Sequence, residues 1–504
     1  MPRSFLIKRL KSVFGFDANR TEAQAARSTA LLMVAVILIV TFMRALFAIG
    51  IELSPDEAYY WAWSQKLAAG YFDHPPAVAM LISMGTALFG DTTLGVRFGA
   101  LVCGALSSWF LFVIARQVLG NSRQALWLTL LMILTPLWSV GAVIQTPDAP
   151  LVLAWLIGIW AALRAQRTNR ISDWAVLGMA IGLATLSKLT GFLFLFSLML
   201  FFVVWQRGRQ LLLTPAPAVV LICVACVVAP NLIWNAQHGW VTFVFQARHG
   251  TAGAIVSPRS GLAFLGGQIG VVSPLVWVGL VAFMATGWRR SIRFGRPEVF
   301  LLWCLSAPMF FFFAVLAWVH PVEANWPATA YLAAAPATTW ALTGGVWFPR
   351  RQRAWTVLAL VLAGVMSLAI HVQALCPFLP IEPDRDPTQR LRGWEEFANE
   401  VSSDARALRV PLAAEGYGLA SELWFYTGQS VIYEPTDQRL SQYDLWPMPM
   451  LPAGILLIQP KNATGVPPLC RHAQHRWQLE KGPSPGAAKR KDYGYWVCGG
   501  LVGH

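Results

Sequence analysis

Charged residues make up only 13% of this 504-residue chain, and acidic residues are scarcest over its first three quarters. Residues 1–375 contain 11 Asp and Glu against 26 Lys and Arg. Long uncharged runs of about 20 residues recur between residues 28 and 375, and each could cross a hydrocarbon core of about 30 Å. A soluble globular protein is thereby excluded. The sequence also lacks an internal repeat, a feature that many transporters carry.

The apolar runs do not alternate between apolar and polar residues as barrel strands do, so they predict membrane-spanning helices. We expect a polytopic α-helical membrane protein with about 11 spans. They are predicted near residues 28–51, 93–115, 124–143, 149–163, 173–187, 189–206, 214–234, 262–288, 298–319, 323–345 and 354–375. Two of them, 149–163 and 173–187, are the shortest.

The net charge of +14 comes from the membrane half, because residues 376–504 contain 13 basic and 14 acidic residues. Its basic residues cluster in short loops, as in cytoplasmic connections, and not in a stripe with stacking aromatics. No nucleic-acid partner is therefore expected. Three regions are predicted: a cytoplasmic segment at 1–27, a membrane domain at 28–375 and a periplasmic domain at 376–504.

The tail alternates short apolar runs with Pro and Gly turns and contains one amphipathic helical pattern at 393–408, which predicts a small α+β domain. Three of the seven cysteines lie there. Cys470 and Cys498 could form a disulfide in an oxidising compartment, with Cys376 as a competing partner.

A group of acids lies just after the first span, at Asp56, Glu57 and Asp73. Ionisable residues at the mouth of a span indicate a functional site. The stretch from Asp56 has helical character, and residues 75–76 (PP) begin a second apolar helix of about fifteen residues. We expect both helices to lie along the outer membrane surface.

Asp56 and Glu57 are adjacent, so their side chains diverge by about 100° on a helix. One could act in chemistry while the other anchors the structure. The alternative is that both only favour a helix N-terminus through the macrodipole.

Asp148 is the one acid between Asp91 and Asp173 and lies in the second outer connection. Lys188 lies in a tight outer turn and breaks the basic-inside pattern, as a cation that binds an anionic lipid phosphate would. Helix capping by Asp148 and snorkelling of Lys188 are the alternatives.

Histidines are concentrated on the same predicted side. Asp73 or His74 together with His238 could bind a divalent metal ion, although their spacing is not that of a strong metal motif, and ordinary polar loop contacts are the alternative. His320, Glu323 and Asn325 supply a base, an acid and an amide at one span mouth. Tyr60 is a further site candidate, with a place in an interfacial aromatic belt as the alternative.

With these residues in place, the sequence resembles the GT-C superfamily of polyprenyl-phosphate-dependent glycosyltransferases, in particular bacterial family 39 and its protein-mannosyltransferase-like relatives. These include lipid A aminoarabinose transferases and rhizobial lipopolysaccharide galacturonosyltransferases. The resemblance covers residues 28–375 and rests on Asp56-Glu57 and on residues 71–76 (YFDHPP), 146–148 (TPD) and 324–327 (ANWP).

The resemblance implies that a sugar moves from a polyprenyl-phosphate donor to lipid A, lipopolysaccharide core, another glycan or a protein, on the periplasmic face of the inner membrane. It implies that Asp56 is the general base or an essential acid, and that Asp148 is a second acid of the site. Lys188 and His74 would hold the donor phosphate. His74 stands where the aminoarabinose transferases have lysine.

Attack opposite the departing phosphate predicts inversion at the anomeric carbon, by the facial logic of inverting glycosidases. A lipid or glycan transporter or flippase is the alternative function, since the number of spans is compatible with either. The acids collect at one membrane face and not at mid-span, which favours the enzyme.

Overall fold

The computed structural model describes residues 22–251, 256–343, 352–382, 385–435, 439–447, 452–460, 468–471, 475–478 and 493–499. Most of the predicted cytoplasmic segment, residues 1–21, lies outside this set. So do residues 350 and 351 of the last predicted basic loop.

Helices dominate the described chain, because its apolar runs satisfy their own backbone groups and several prolines stand where a helix can begin. Pro55, Pro136, Pro258, Pro274 and Pro297 each occupy a first helical position, where no amide hydrogen bond is lost. The helices are α1 Glu22–Ile49, α2 Pro55–Ser64, α3 Ala77–Phe89, α4 Thr93–Leu119, α5 Ser122–Ile133, α6 Pro136–Gly141, α7 Asp148–Thr168, α8 Ile171–Ser187, α9 Leu193–Val204, α10 Gln206–Leu212, α11 Ala216–Gln237, α12 Val241–Thr251, α13 Pro258–Val272, α14 Pro274–Arg293, α15 Pro297–Cys304, α16 Ala307–Leu316, α17 Ala328–Thr343, α18 Gln352–Leu375, α19 Trp394–Leu408, α20 Tyr417–Thr427 and α21 Pro468–Arg471.

Six stretches of the described chain are long and apolar enough to span a membrane, and eight are if each of two bent helix pairs is one span. They lie in α1, α4, α7, α11, α15 with α16, and α18, and the bent pairs are α9 with α10 and α13 with α14. The protein is therefore an integral membrane protein, as predicted, whereas the number of eleven is not confirmed.

Helices occupy the remaining predicted spans, but they are short or broken. The interval 124–143 is divided between α5 and α6, where Pro136 begins a new helix. The predicted spans at 173–187 and 323–345 contain α8 and α17, of 17 and 16 residues. The predicted short span at 149–163 is matched by α7, which has 21 residues.

The tail forms a five-stranded sheet in the order β2-β1-β3-β5-β4. Its strands are β1 Leu412–Glu415, β2 Ile432–Glu434, β3 Gly454–Pro460, β4 His475–Gln478 and β5 Tyr493–Gly499. β1 is parallel to β2 and β3, while β5 is antiparallel to β3 and β4. The amphipathic pattern at 393–408 forms α19, and α20 connects β1 to β2 in a βαβ unit, which the predicted α+β arrangement did not include.

Cys470 and Cys498 form a disulfide, with 5.5 Å between their Cα atoms. Cys376, the competing candidate, is exposed and outside that bond. The disulfide joins α21 to β5.

The chain divides into two compact units. The first comprises Met1–Ala45, Ala100–Gln237 and Gln246–Ile370, and its apolar core contains tightly packed aromatic rings such as Trp155 and Phe194. The second comprises Leu46–Gly99, His238–Phe245 and His371–His504. Its interior combines α2 and α3 with elements of the tail.

Candidate functional site

The candidate residues form two groups, one in each unit. In the second unit, Ser54 begins α2 as its N-cap: its hydroxyl accepts from the Glu57 amide, and the Glu57 carboxylate accepts from the Ser54 amide. This reciprocal capping box satisfies two backbone donors that would otherwise lack partners. It therefore fixes the helix start that positions Asp56 and Glu57.

Glu57 is fully buried in an ion pair with Arg97 of α4. Arg97 Nε and Nη2 donate to the two carboxylate oxygens, both at 2.8 Å. The other guanidinium hydrogens go to the carbonyls of Ala48, Ile51 and Glu52, so all five donors are used. Glu57 thus has an anchoring environment, in contrast to its exposed neighbour.

Replacing Arg97 with methionine is expected to lower the free energy of unfolding by about 3–5 kcal/mol, because it leaves a buried carboxylate without its cation. Thermal or denaturant unfolding of the purified protein in detergent measures this. Arg207→Met, at an exposed position, is the control. The double change with Glu57→Met should recover part of the loss, and a single variant as stable as the wild type would contradict the anchoring role.

Asp56 is exposed, and its side chain diverges from that of Glu57 on the helix. Its Oδ1 accepts from the hydroxyl of Tyr417, the first residue of α20, at 3.4 Å. Burial, with Asp56 as the next cause, raises the pKa of Tyr417 to about 12. The phenol is therefore neutral at ordinary pH and can donate to the carboxylate.

Asp73 is buried and lies at the centre of a hydrogen-bonded group. Tyr59 donates to its Oδ2 at 2.7 Å, and Arg439 Nη2 donates to its Oδ1. Arg439 Nη1 in turn donates to the Tyr417 oxygen at 3.0 Å. The group therefore connects buried Asp73 to exposed Asp56 through two side chains of the tail.

Asp73 and Arg439 stabilise the charged form of each other. Burial raises the pKa of Asp73 above that of an ordinary carboxyl, and Arg439 opposes the rise. Burial lowers the pKa of Arg439, but Asp73 and the surrounding phenols outweigh it and leave the pKa raised. The guanidinium therefore stays charged, and it also lies over the Tyr417 ring at 4.6 Å.

Tyr60 and His74 border the same group. The Tyr60 ring is buried and lies edge-on to the His74 ring, with 6.2 Å between centroids. Burial, followed by the charges of Asp56 and Asp73, raises the pKa of Tyr60 well above its usual value. Tyr60 therefore lies within the electrostatic reach of Asp56, and His74 contacts Tyr60.

In the described chain, the predicted metal ligands Asp73 and His238 belong to no group of three or more such side chains that could hold a metal ion. Both Asp73 oxygens accept from Arg439 and Tyr59, and a cation of the protein already meets its charge. His238 lies exposed in the turn between α11 and α12. Among the described residues, no group of three or more His, Cys, Asp or Glu is arranged to hold a metal ion.

In the first unit, Asp148, Lys188 and Asn325 come together. Lys188 Nζ lies 2.8 Å from Asp148 Oδ1, and Asn325 Nδ2 donates to Oδ2 at 2.5 Å. The lysine and aspartate side chains retain 13% and 19% of their exposure, so the ion pair is only partly shielded from solvent. Side chains from two connections thus contact the Asp148 carboxylate of a third, and all three connections were predicted on one membrane face.

Local backbone geometry places these side chains. Asp148 is the first residue of α7, and its carboxylate is directed to Lys188 and Asn325. Lys188 follows α8 in an extended conformation, and the next turn returns to that helix at Gly191. A Cβ on Gly191 would lie 2.3 Å from the Ala184 carbonyl carbon, so only glycine permits this turn.

The other two predicted residues of this unit lie elsewhere on the same connection. His320 is buried at the end of α16, and Glu323 is exposed. The structure gives neither side chain a hydrogen bond to the Asp148 group. Of the three polar residues predicted at this mouth, Asn325 contacts Asp148 directly.

Arg97, Tyr417 and Arg439 were missed by sequence reasoning. A signal existed for Arg97, since a cation in a predicted span needs a partner. Tyr417 and Arg439 lie more than 360 positions from the acids that they contact. No local pattern in the chain could have found them.

Comparisons with known proteins identify relatives of this chain in sequence and in fold. The profile of a family described as dolichyl-phosphate-mannose-protein mannosyltransferase matches residues 73–234. The lipid A galacturonosyltransferase RgtD of Rhizobium johnstonii is 30% identical over 75% of this chain and 78% of its own length.

An undecaprenyl phosphate-alpha-4-amino-4-deoxy-L-arabinose arabinosyl transferase of Pseudomonas aeruginosa is also 30% identical, over 51% of this chain and 50% of its own. The chain thus spans about half the length of that relative. The fold is similar to the crystal structure of ArnT from Cupriavidus metallidurans bound to undecaprenyl phosphate, with a TM-score of 0.62, 18% identity and coverage of 86% and 93% of the two chains.

These relatives are glycosyltransferases, so the comparisons support the enzyme and not the transporter alternative. The fold similarity extends over most of both chains. The chain belongs to the GT-C family of membrane glycosyltransferases that includes the lipid A galacturonosyltransferase and the aminoarabinose transferases.

Proposed function

We propose that the protein transfers a sugar from a polyprenyl-phosphate donor to lipid A or another envelope glycan, with inversion at the anomeric carbon. The observation that carries this proposal is the partly exposed Lys188, held by Asp148 where two predicted spans meet. A cation fixed at a membrane boundary suits a lipid phosphate. The galacturonosyltransferase similarity supports lipid A as the acceptor class.

Lys188 stabilises the charge that develops on the departing phosphate as the bond to the anomeric carbon breaks. Asp148 accepts from both Lys188 and Asn325, so it positions the ammonium group and does not itself receive a proton. Lys188 is the residue that holds the donor phosphate. Arg439 already meets the charge of Asp73, so no step is routed through a metal ion bound there.

Asp56 takes the proton of the acceptor hydroxyl as that oxygen attacks. Its exposure leaves it open to an acceptor, while Glu57 anchors the helix. Tyr417 and Arg439 position Asp56 through the chain of hydrogen bonds that ends at Asp73. Tyr60 and His74 border this group and are proposed to contact the sugar.

The proposed topology has eleven crossings, with the basic loops in the cytoplasm of the inner membrane and the candidate residues facing the periplasm. In this proposal residues 1–27 are cytoplasmic, 28–375 form the membrane domain and 376–504 form the periplasmic domain. A Cys470–Cys498 disulfide is compatible with an oxidising compartment.

Replacing Tyr417 with phenylalanine is expected to lower kcat for transfer about tenfold, because a hydrogen bond to a charged group is worth about 1.5 kcal/mol at its weak end. The KM values for both substrates should stay the same, since Tyr417 acts through Asp56. Steady-state kinetics measure this, with Tyr493→Phe of β5 as the control. An unchanged kcat would remove Tyr417 from the positioning role.

The proposed function is tested by mass spectrometry of envelope glycans from cells that lack this protein and from the same cells complemented with it. We expect one sugar mass to disappear and to return on complementation, which identifies the sugar and acceptor together. Identical glycans in both strains would overturn the proposal of an envelope acceptor.

A further inference from the structure

A cavity of about 590 Å³ lies in the second unit, between the tail and the first outer loop. Its lining includes Lys66, Trp424, Tyr433, Tyr443, Asp444 and Trp446. None of these residues belongs to the Asp56 group or to the Lys188 group. Four prolines complete much of the lining and give the rim a stiff backbone.

The aromatic walls are held in place by ring contacts. Tyr443 stacks on Tyr433 with 4.9 Å between centroids and meets Trp446 edge-on at 5.1 Å. Trp424 is fixed against Trp61 at 5.2 Å. Trp424, Tyr443 and Trp446 are half-buried, so part of each ring remains accessible. Rigid aromatic faces give a large contact area at a small cost in conformational entropy.

Two charged groups flank these rings. Lys66 is exposed, and its Nζ lies 4.4 Å from the centre of the Trp446 ring. Asp444 Oδ2 accepts from the Ser441 amide at 2.7 Å and from the Tyr433 hydroxyl at 3.1 Å, so its carboxylate is fixed. Burial raises the pKa of Tyr433 to about 12, which keeps that hydroxyl a donor.

We propose that this cavity binds a sugar ring that carries a phosphate or carboxylate, as a second subsite for the acceptor glycan. The apolar face of a pyranose would lie on Trp446 or Trp424, its hydroxyls would donate to Asp444, and its anionic group would meet Lys66. A few fixed polar groups among aromatic walls are the usual composition of a ligand pocket. The assignment to the acceptor rests on the proposed function, whereas the binding of an anionic sugar does not.

The test uses the full-length protein in detergent and saturation-transfer NMR with glucose 6-phosphate. We expect a saturation-transfer signal on the ring protons of glucose 6-phosphate, and a signal at least fivefold weaker with glucose. Equimolar inorganic phosphate should not abolish the glucose 6-phosphate signal. Trp446→Ala should remove the signal, Lys66→Gln should weaken it at least fivefold and Lys66→Arg should restore it. Trp355→Ala, an exposed tryptophan of α18, is the control.

An unchanged signal in both Trp446→Ala and Lys66→Gln would overturn the proposal, and so would complete displacement by phosphate, which would indicate an anion site alone. Lys66→Gln alters an exposed side chain, so it keeps the test valid if Trp446→Ala fails to fold. In transfer assays the same variants should raise the acceptor KM at least tenfold without changing the donor KM. Sugar binding by a protein without transferase activity would contradict the proposed function and leave the cavity proposal intact.

Discussion

Asp56→Asn is expected to lower the rate of sugar transfer by about a thousandfold, because general base catalysis typically contributes 10²–10⁴-fold and the amide cannot accept the proton of the attacking hydroxyl. The fold should be unaffected. Asp56 is exposed and makes one long hydrogen bond, to Tyr417 at 3.4 Å, whereas the buried anchor of the same helix is Glu57. Single-turnover kinetics with saturating donor and acceptor measure the chemical step directly.

Glu396→Gln is the matched control, since it removes an exposed carboxylate near the start of another helix, α19. The Asp56→Asn protein should keep the wild-type melting temperature in detergent. Asp56→Glu should retain measurable transfer, because it keeps the carboxylate. A well-folded Asp56→Asn protein with full activity would remove Asp56 from the base role.

The second large effect is expected from removal of the Lys188 ammonium group. We expect Lys188→Ala to lower kcat/KM for the polyprenyl-phosphate donor by about 10²–10³-fold, because preorganised charge stabilisation of a leaving group has that magnitude. The acceptor KM should change much less. Donor and acceptor titrations with the purified proteins measure both effects. Wild-type titrations with and without EDTA show whether a metal ion contributes to donor use.

The ion pair with Asp148 allows a control on this interpretation. If Lys188 served only to neutralise Asp148, then Asp148→Asn combined with Lys188→Ala would restore transfer, since no uncompensated charge would remain. We expect the double variant to stay as inactive as Lys188→Ala. Recovery of donor use in the double variant would reduce Lys188 to a structural partner.

Much of the architecture could be predicted from local patterns. Apolar runs of spanning length and the basic residues in short loops indicated an integral membrane protein. The start of α2 was predictable because Ser54, Pro55 and Glu57 form a capping pattern within four positions. The divergence of Asp56 and Glu57 follows from helix geometry, whereas the burial of Glu57 and the exposure of Asp56 depend on the packing around α2.

The number of spans was harder to predict because hydropathy does not report where a helix breaks. Pro136 separates α5 from α6 within one apolar stretch. The backbone also bends by 115° between α13 and α14, where Ser273 has a positive φ. Tertiary packing decides whether such a bend lies within one span, so a hydropathy window cannot resolve it.

For the site too, residues could be recognised from the local sequence, whereas contacts between distant parts of the chain could not. Asp148, Lys188 and Asn325 were each recognisable as polar residues at a span mouth, and their contact was compatible with the predicted topology. Arg439 could not be assigned to Asp73, because their pairing depends on the fold of a tail that begins some three hundred residues later. The metal prediction for Asp73 was likewise made without knowledge of this pairing, through which Arg439 meets the charge of the carboxylate.

Movement of a sugar from a lipid phosphate to an acceptor changes the mass of both lipids. The most direct measurement incubates the purified protein with an undecaprenyl-phosphate-linked sugar and lipid A, and follows both lipids by mass spectrometry. We predict acceptor-dependent release of undecaprenyl phosphate together with lipid A heavier by one sugar residue, and neither product with Asp56→Asn. Lipid A of unchanged mass across a panel of donors would contradict the account for this acceptor, and transfer by the Asp56→Asn protein would contradict its mechanism.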